Sequence, residues 1–303
     1  MKASKKLMVT GARGFVAGNV IAHALKDWEV HALSRGEPLF EHPGLKWHVA
    51  PSLAEADLAR VFRQVMPDVV IHTAAIANID FCEANPTLAR KANVEMTAVL
   101  AGLCASSGSK LVFCSTDNVF DGERAPYRED DLPAPVNYYG QTKFEAERIV
   151  ACAGKNTVIA RLAFVVGFPA FGPCNSFLGK VVEAIRSGQQ LCAPENEFRT
   201  PIDVVSVNRA LLELAEGDHV GVFHLAGNDR LNRFELLEEV VRVLGLPPDK
   251  ITTIDPSRVQ SRARRPRDVS LDNRKALSFL KTPMLGFREA LAVLAREQPY
   301  KTH

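Results

Sequence analysis

The chain has 303 residues, 47% hydrophobic and 24% charged, enough for one large α/β domain with an appended lobe or for two modest domains. A formal charge of +2 gives no reason to expect nucleic acid or an anionic membrane as partner, and no apolar run reaches the roughly 18 residues of a membrane span. Cysteines at 82, 104, 114, 152, 174 and 192 form no Cys-x-x-Cys pair and several sit in apolar runs, which favours a reducing cytoplasm over a disulfide framework or a structural zinc.

Residues 6–10 read as a short buried strand rather than the core of a signal peptide. The strand feeds Gly11-Ala12-Arg13-Gly14-Phe15-Val16-Ala17-Gly18, after which apolar residues recur at helical spacing through Leu25. Strand, glycine loop and helix in that order form a dinucleotide site. Glycine permits the tight turn and lets the backbone approach a diphosphate, and the helix amino terminus adds a positive dipole end. Gly11, Arg13, Gly14, Phe15 and Val16 are the cofactor-binding candidates of this loop. A second strand over 29–33 ends in Ser34-Arg35, about twenty residues past the loop, where an acid would accept from the ribose hydroxyl of NAD. Ser34 and Arg35, with Arg13, suit a 2′-phosphate instead, so NADP is expected ahead of NAD; the alternative is an ordinary solvated arginine.

Residues 45–49 suggest a third strand and 53–65 a helix. Pro67-Asp68 then introduces Val69-Val70-Ile71-His72, a buried strand followed by Thr73-Ala74-Ala75. The small Ala74 and Ala75 at a strand end let a cofactor lie close, and His72 reads as a satisfied core histidine. A long helix is expected over 84–105, apart from Pro86 near its start.

Leu111-Val112-Phe113-Cys114 is strand-like and runs into Ser115-Thr116-Asp117-Asn118-Val119-Phe120-Asp121-Gly122. A polar, proline-punctuated loop follows, then Tyr139-Gly140-Gln141-Thr142-Lys143 at the head of a helical pattern reaching about Cys152. Tyr139 and Lys143 share one face of a helix. A phenol beside an ammonium is a general-acid arrangement, the charge being expected to lower a pKa that starts at about 10. Thr116, at the strand end, can present a hydroxyl to a substrate carbonyl. The Tyr-x-x-x-Lys spacing alone is also that of an amphipathic helix start with a solvated lysine; the upstream glycine loop is what strengthens it.

Farther on, 157–166 reads as a buried strand containing Arg161, and the glycine-, proline- and phenylalanine-rich 167–173 as a crossing into a second lobe. Helices are expected over 176–187, 207–215 and 234–244, the last with a core-facing apolar stripe, and a strand over 222–226. The most basic run, Arg262-Ala263-Arg264-Arg265-Pro266-Arg267, has two readings, a solvated loop or a clamp for a diphosphate.

The stretch from Ser115 to Lys143 resembles the extended short-chain dehydrogenase/reductases, and within them the dTDP-4-dehydrorhamnose reductase family. Ser115-Thr116-Asp117-Asn118-Val119-Phe120-Asp121-Gly122 matches that family's Ser-Thr-Asp-Tyr-Val-Phe-Asp-Gly with Asn118 for the tyrosine, and Tyr139-Gly140-Gln141-Thr142-Lys143 also follows its pattern. The same segments are similar to the regulatory subunit of methionine adenosyltransferase. The resemblance implies catalytic roles for Thr116, Tyr139 and Lys143, with Tyr139 and Lys143 also touching the cofactor beside Ser115, and Ala74-Ala75 lining the nicotinamide side. It implies a hydrogen-bond relay behind the lysine at Asn93, where a helix asparagine bonded to nearby backbone is the alternative. It places Asp117, Asn118, Phe164, Arg199 and Arg265 on the substrate: Phe164 stands for the family's tryptophan, Phe198 to Val205 follows its return segment, and Arg265-Pro266 with Leu271-Asp272 follows its Arg-Pro and Leu-Asp. An adenine-contacting acid expected after the third strand is missing, since the chain reads Pro51-Ser52-Leu53.

Together these imply an α/β fold, a doubly wound parallel (Rossmann) sheet with a smaller α+β substrate lobe. The dinucleotide domain is expected over 1–166 and 201–226, the substrate-binding lobe over 167–200 and 227–303. The activity implied is NADP-dependent reduction of a keto group on a nucleotide-linked sugar, without metal, in a cytoplasmic protein that is a monomer or a homo-oligomer. Two alternatives stay open, an NADP-binding regulatory partner protein and a nucleotide-sugar epimerase or dehydratase.

Overall fold

Seven strands form one parallel sheet: β1 (Lys6–Thr10), β2 (Glu29–Ser34), β3 (Leu45–Val49), β4 (Val69–His72), β5 (Lys110–Thr116), β6 (Thr157–Leu162) and, after four short strands of other sheets, β11 (Gly221–Leu225). In this computed structural model the described residues are 5–297 without 53, 173–174 and 259–261, so Leu53, Pro173 and Cys174 lie outside them. The strand order is β11-β6-β5-β4-β1-β2-β3, every neighbour parallel. The winding reverses at β1, and the crevice between the carboxyl ends of β1 and β4 is where such a sheet binds ligands.

Alternate side chains of the strands feed two layers. Leu7 and Val9 point to the side covered by helices α1 (Phe15–Ala24) and α8 (Val204–Glu216), through Val20, Ile21, Val207 and Leu211. Met8, Val70 and Leu111 point to the side covered by α2 (Glu55–Val65), α5 (Met96–Ser107) and α6 (Tyr138–Cys152), through Phe62, Leu100 and Val150. Sheets buried on both faces read as continuous apolar runs, which is why these strands were visible in the sequence.

The long helix expected over 84–105 starts at Pro86: α3 (Ile79–Ala84) stops at Asn85, α4 (Pro86–Arg90) starts on the proline, and a π turn, Lys91–Glu95, carries it into α5. Pro86 pushes the residue before it out of helical geometry, and Asn85 has φ −133° and ψ 62°. The strand expected over 157–166 also divides. It leaves the main sheet after Leu162, and β7 (Val165–Val166) pairs with β10 (Ile202–Asp203).

The second lobe is built from α7 (Phe177–Arg186), α9 (Arg233–Val243) and α11 (Phe287–Glu297) around Leu178, Val181, Leu236, Val240 and Leu291. Two small sheets edge it, β8 (Leu191–Ala193) with β13 (Ile251–Thr253), and β9 (Phe198–Arg199) with β12 (Leu231–Asn232). The boundary expected for this lobe needs an adjustment. Val269, Leu271, Ala276, Leu280 and Met284, from the segment carrying α10 (Arg274–Phe279), pack into the main core beside α8. We therefore propose a substrate lobe of about 167–200, 227–267 and 286–297. No helix among the described residues is long and apolar enough to cross a membrane.

Candidate active site

The glycine loop closes against the neighbouring strand end. Gly11 has φ +70°, and a Cβ there would come 2.8 Å from Ala74 Cα and 2.9 Å from Ala74 N, so only glycine fits. Gly14 N–H donates to Gly11 O at 2.7 Å, and Gly14 caps α1 without any side-chain acceptor. The first-turn N–H groups of Phe15 and Val16 have no acceptor within the helix, as an anion-binding turn requires. Their side chains are spent elsewhere, Phe15 on the second lobe's core and Val16 on the main core. Ala74 is half-buried and Ala75 exposed at the same crevice.

Arg13 and Arg35 are both exposed at the edge of this loop. Arg13 reaches the turn after β2, where a Cβ on Gly36 would lie 2.1 Å from its Nη1. Ser34 differs from expectation: it is buried and its hydroxyl donates to Gly36 O, shaping the turn instead of facing a ligand.

Thr116, Tyr139 and Lys143 converge where β5 ends against the start of α6, and all three are buried. Asn137 fixes the helix start, its side chain accepting from Gly140 N–H at 2.9 Å. The Thr116 hydroxyl donates to Asp117 Oδ1 at 3.2 Å; its presence beside the Tyr139 phenol favours phenolate, but burial outweighs it and pushes the phenol's pKa up. The expectation that Lys143 lowers this pKa is therefore corrected. The Lys143 ammonium lies 4.0 Å from the centroid of the Phe113 ring, and burial lowers its own pKa to about 8. At neutral pH Tyr139 is a phenol with a proton to give, and Lys143 is still mostly charged.

Asn93 does not reach the lysine with its side chain. Its Oδ1 accepts from Ile76 N–H at 2.8 Å, and its Nδ2 donates to Ile76 O and, at 3.0 Å, to Thr142 Oγ1. It ties the loop after β4 to α6. His72 is the core histidine expected, bonded to Thr10 Oγ1 at 2.7 Å and Thr97 Oγ1 at 2.9 Å.

A cavity of about 470 Å³ adjoins this group from the second lobe, and its walls include Asp117, Asn118, Phe164, Phe177, Arg199 and Arg233. Asn118 Nδ2 donates to Asp117 Oδ1 at 2.8 Å, so its donors are committed. Three buried oxygens on this stretch accept no hydrogen bond: Ser115 Oγ, Asp117 Oδ2 and Asn118 Oδ1. Buried polar atoms are normally satisfied, so these three, on a stretch that borders the cavity, are exceptions. Arg199 lies 3.7 Å from Asp117. Burial raises the Asp117 pKa against the pull of Arg199.

The basic run divides. Arg262 and Arg265 line the cavity, Arg262 paired with Glu197 and Arg265 with Asp80, whereas Arg264 and Arg267 are exposed. Sequence reasoning missed Arg233, Phe177 and Glu197, which come from distant segments and carry no motif.

A doubly wound parallel sheet with a glycine loop at its switch point and a Tyr-x-x-x-Lys helix beside it defines an extended short-chain dehydrogenase/reductase. More particularly, the chain belongs to the family described as RmlD substrate binding domain, whose model matches residues 5–298. Methionine adenosyltransferase 2 subunit beta of Xenopus laevis is 30% identical over 301 residues, 95% of this chain and 87% of the relative. The probable low-salt glycan biosynthesis reductase Agl14 of Haloferax volcanii is 29% identical over 272 residues, 87% of this chain and 88% of the relative. The fold matches that of dTDP-4-dehydrorhamnose reductase from Bacillus anthracis in complex with NADP, with TM-score 0.85 at 20% identity over 97% of this chain and 99% of that one. It also matches MoeE5 in complex with UDP-glucuronic acid and NAD, with TM-score 0.81 at 24% identity over 95% and 96%.

Proposed function

We propose that the protein is an NADP-dependent reductase of a keto group on a nucleotide-linked sugar. The observation that carries this reading is the convergence of Thr116, Tyr139 and Lys143 between a glycine cradle and a cavity edged by orphan acceptors and arginines. The cradle at Gly11, the uncapped start of α1, and Arg13 with Arg35 fit a dinucleotide bearing a 2′-phosphate. When bound, that dinucleotide supplies the reducing hydride. Thr116 orients the substrate carbonyl, and Tyr139 donates a proton to its oxygen. Lys143 stabilises the phenolate left behind. A phenol held protonated by burial suits reduction, the direction in which the residue must start with its proton.

Asp117 and Asn118 would accept hydrogen bonds from sugar hydroxyls. Asn118 replaces an aromatic wall of the family pattern with an acceptor, so we propose a more hydroxylated sugar than 4-dehydrorhamnose. The experiment is incubation of the purified protein with NADPH and a panel of 4-keto nucleotide sugars. Oxidation of NADPH by at least one of them supports the reading.

A second reading has its own support: several relatives of similar length are subunits of methionine adenosyltransferase. A non-catalytic binding subunit would hold NADP tightly and oxidise NADPH with none of the panel.

A further inference from the structure

Among the described residues, four guanidinium groups line the cavity. Three are matched by carboxylates: Arg199 lies 3.7 Å from Asp117, Arg262 2.6 Å from Glu197 and Arg265 2.7 Å from Asp80. The fourth, Arg233, forms no ion pair among the described residues, and its side chain makes no hydrogen bond there. Aromatic rings hold it instead. Its guanidinium carbon lies 4.0 Å from the centroid of the Phe164 ring and 5.2 Å from that of Phe177. Stacking fixes the plane of a guanidinium and leaves the donors on its edge free.

The electrostatics point the same way. Burial, followed by the charge of Arg199, lowers the Arg233 pKa to about 10, so the side chain is still a cation at neutral pH. Burial also raises the Asp117 pKa, which weakens the compensation that carboxyl offers its neighbours. The cavity therefore holds an excess positive charge beside Asn118 Oδ1, which accepts no hydrogen bond. A stacked, half-buried, unmatched arginine is a costly arrangement unless a ligand supplies the anion.

We propose that Arg233 is the anion receptor of the cavity, taking an oxyanion of the ligand in a forked pair of N–H bonds while its face stays on Phe164 and Phe177. For its ligand class the inference rests on the nucleotide-sugar reading. Such a ligand carries oxyanions in two places, on the diphosphate and, in an acidic sugar, on the ring carboxylate. Arg233 comes from the start of α9, outside the basic run at 262–267, so it was not legible as part of a clamp.

The test is calorimetric titration of wild type, Arg233→Met and Arg233→Lys with UDP-glucose, UDP-glucuronic acid and pyrophosphate. Methionine keeps an unbranched stem on the two rings, and a thermal melt of each variant checks the fold. Arg233→Met is expected to weaken binding about 10- to 100-fold, the scale of a lost charge-assisted pair, and Arg233→Lys to recover part of it. An equal loss for all three probes assigns the diphosphate, and a loss confined to UDP-glucuronic acid assigns the ring carboxylate; either supports the receptor. Affinities within twofold of wild type in Arg233→Met, or no binding of any probe by wild type, overturn it. Tight binding that ignores Arg233 leaves the reductase reading standing, whereas Arg233-dependent binding without NADPH oxidation removes that reading and keeps this one.

Discussion

Replacing Glu147 with glutamine tests how α6, the helix of Tyr139 and Lys143, is anchored. Glu147 lies one turn beyond Lys143 on α6 and is 4% exposed, as is its partner Arg161 on β6. The pair is forked: Arg161 Nε donates to Oε1 at 3.0 Å and Nη2 to Oε2 at 2.8 Å. The remaining guanidinium donor, Nη1, reaches Glu129 O at 3.4 Å and His224 Nε2 at 3.3 Å. With arginine as the donor, His224 Nε2 is the acceptor, so its proton sits on Nδ1, which donates to Asp272 O at 3.2 Å. Glu147→Gln leaves this network with a buried, unmatched guanidinium. Breaking such a pair costs about 3–5 kcal/mol, a large part of the roughly 5–15 kcal/mol that holds a domain folded. Denaturant unfolding at pH 7 should show that loss, and Glu147→Leu with Arg161→Met should recover part of it because no charge is then stranded. The glutamate's charge also raises the Lys143 pKa, so Glu147→Gln should shift the basic limb of activity to lower pH. A stability loss below about 1 kcal/mol would refute the reasoning, since that is what an exposed pair is worth.

Three more outcomes are expected. Dissociation constants for NADPH and NADH should favour NADPH, and Arg35→Ala should shrink that preference; equal affinities in wild type would remove Arg13 and Arg35 from cofactor selection. Turnover should fall as pH rises through about 8, where Lys143 loses its charge and the phenolate its support, and a flat profile from pH 7 to 9.5 would contradict this role. His72 and His224 are buried with pKa values lowered to about 3, chiefly by burial. The unfolded chain takes up these protons first, so stability should be full above about pH 6.5 and fall with pH below it. His72→Asn should flatten that slope in urea melts between pH 4 and 6.5, and an unchanged slope would count against it.

The dinucleotide half of the molecule was legible because its signals are local. The glycine loop falls between one strand and one helix, and Tyr139 and Lys143 lie one helical turn apart. The cavity draws on Asp117, Phe164 and Arg199, to which the family resemblance already pointed, and on Phe177 and Arg233, which carry no motif and which only the folded chain brings there. Side-chain commitments were also beyond a motif: Ser34 and Asn93 stand at the expected positions but spend their polar atoms on Gly36, Ile76 and Thr142. The direction of the Tyr139 shift depends on burial, and spacing alone gave only the helix neighbour. The break at Asn85 was signalled by Pro86, whereas the π turn that follows had no counterpart in the apolar pattern.

Carbonyl reduction at the Tyr139 site is read out with NADPH deuterated at the transferable position, incubated with the 4-keto nucleotide sugar panel and followed by mass spectrometry. Wild type is expected to place one deuterium on the former carbonyl carbon of at least one product, and Tyr139→Phe to bind NADPH equally well but form that product roughly 10²- to 10⁴-fold more slowly. Tight NADPH binding with no deuterium in any sugar, or unimpaired transfer by Tyr139→Phe, would contradict it.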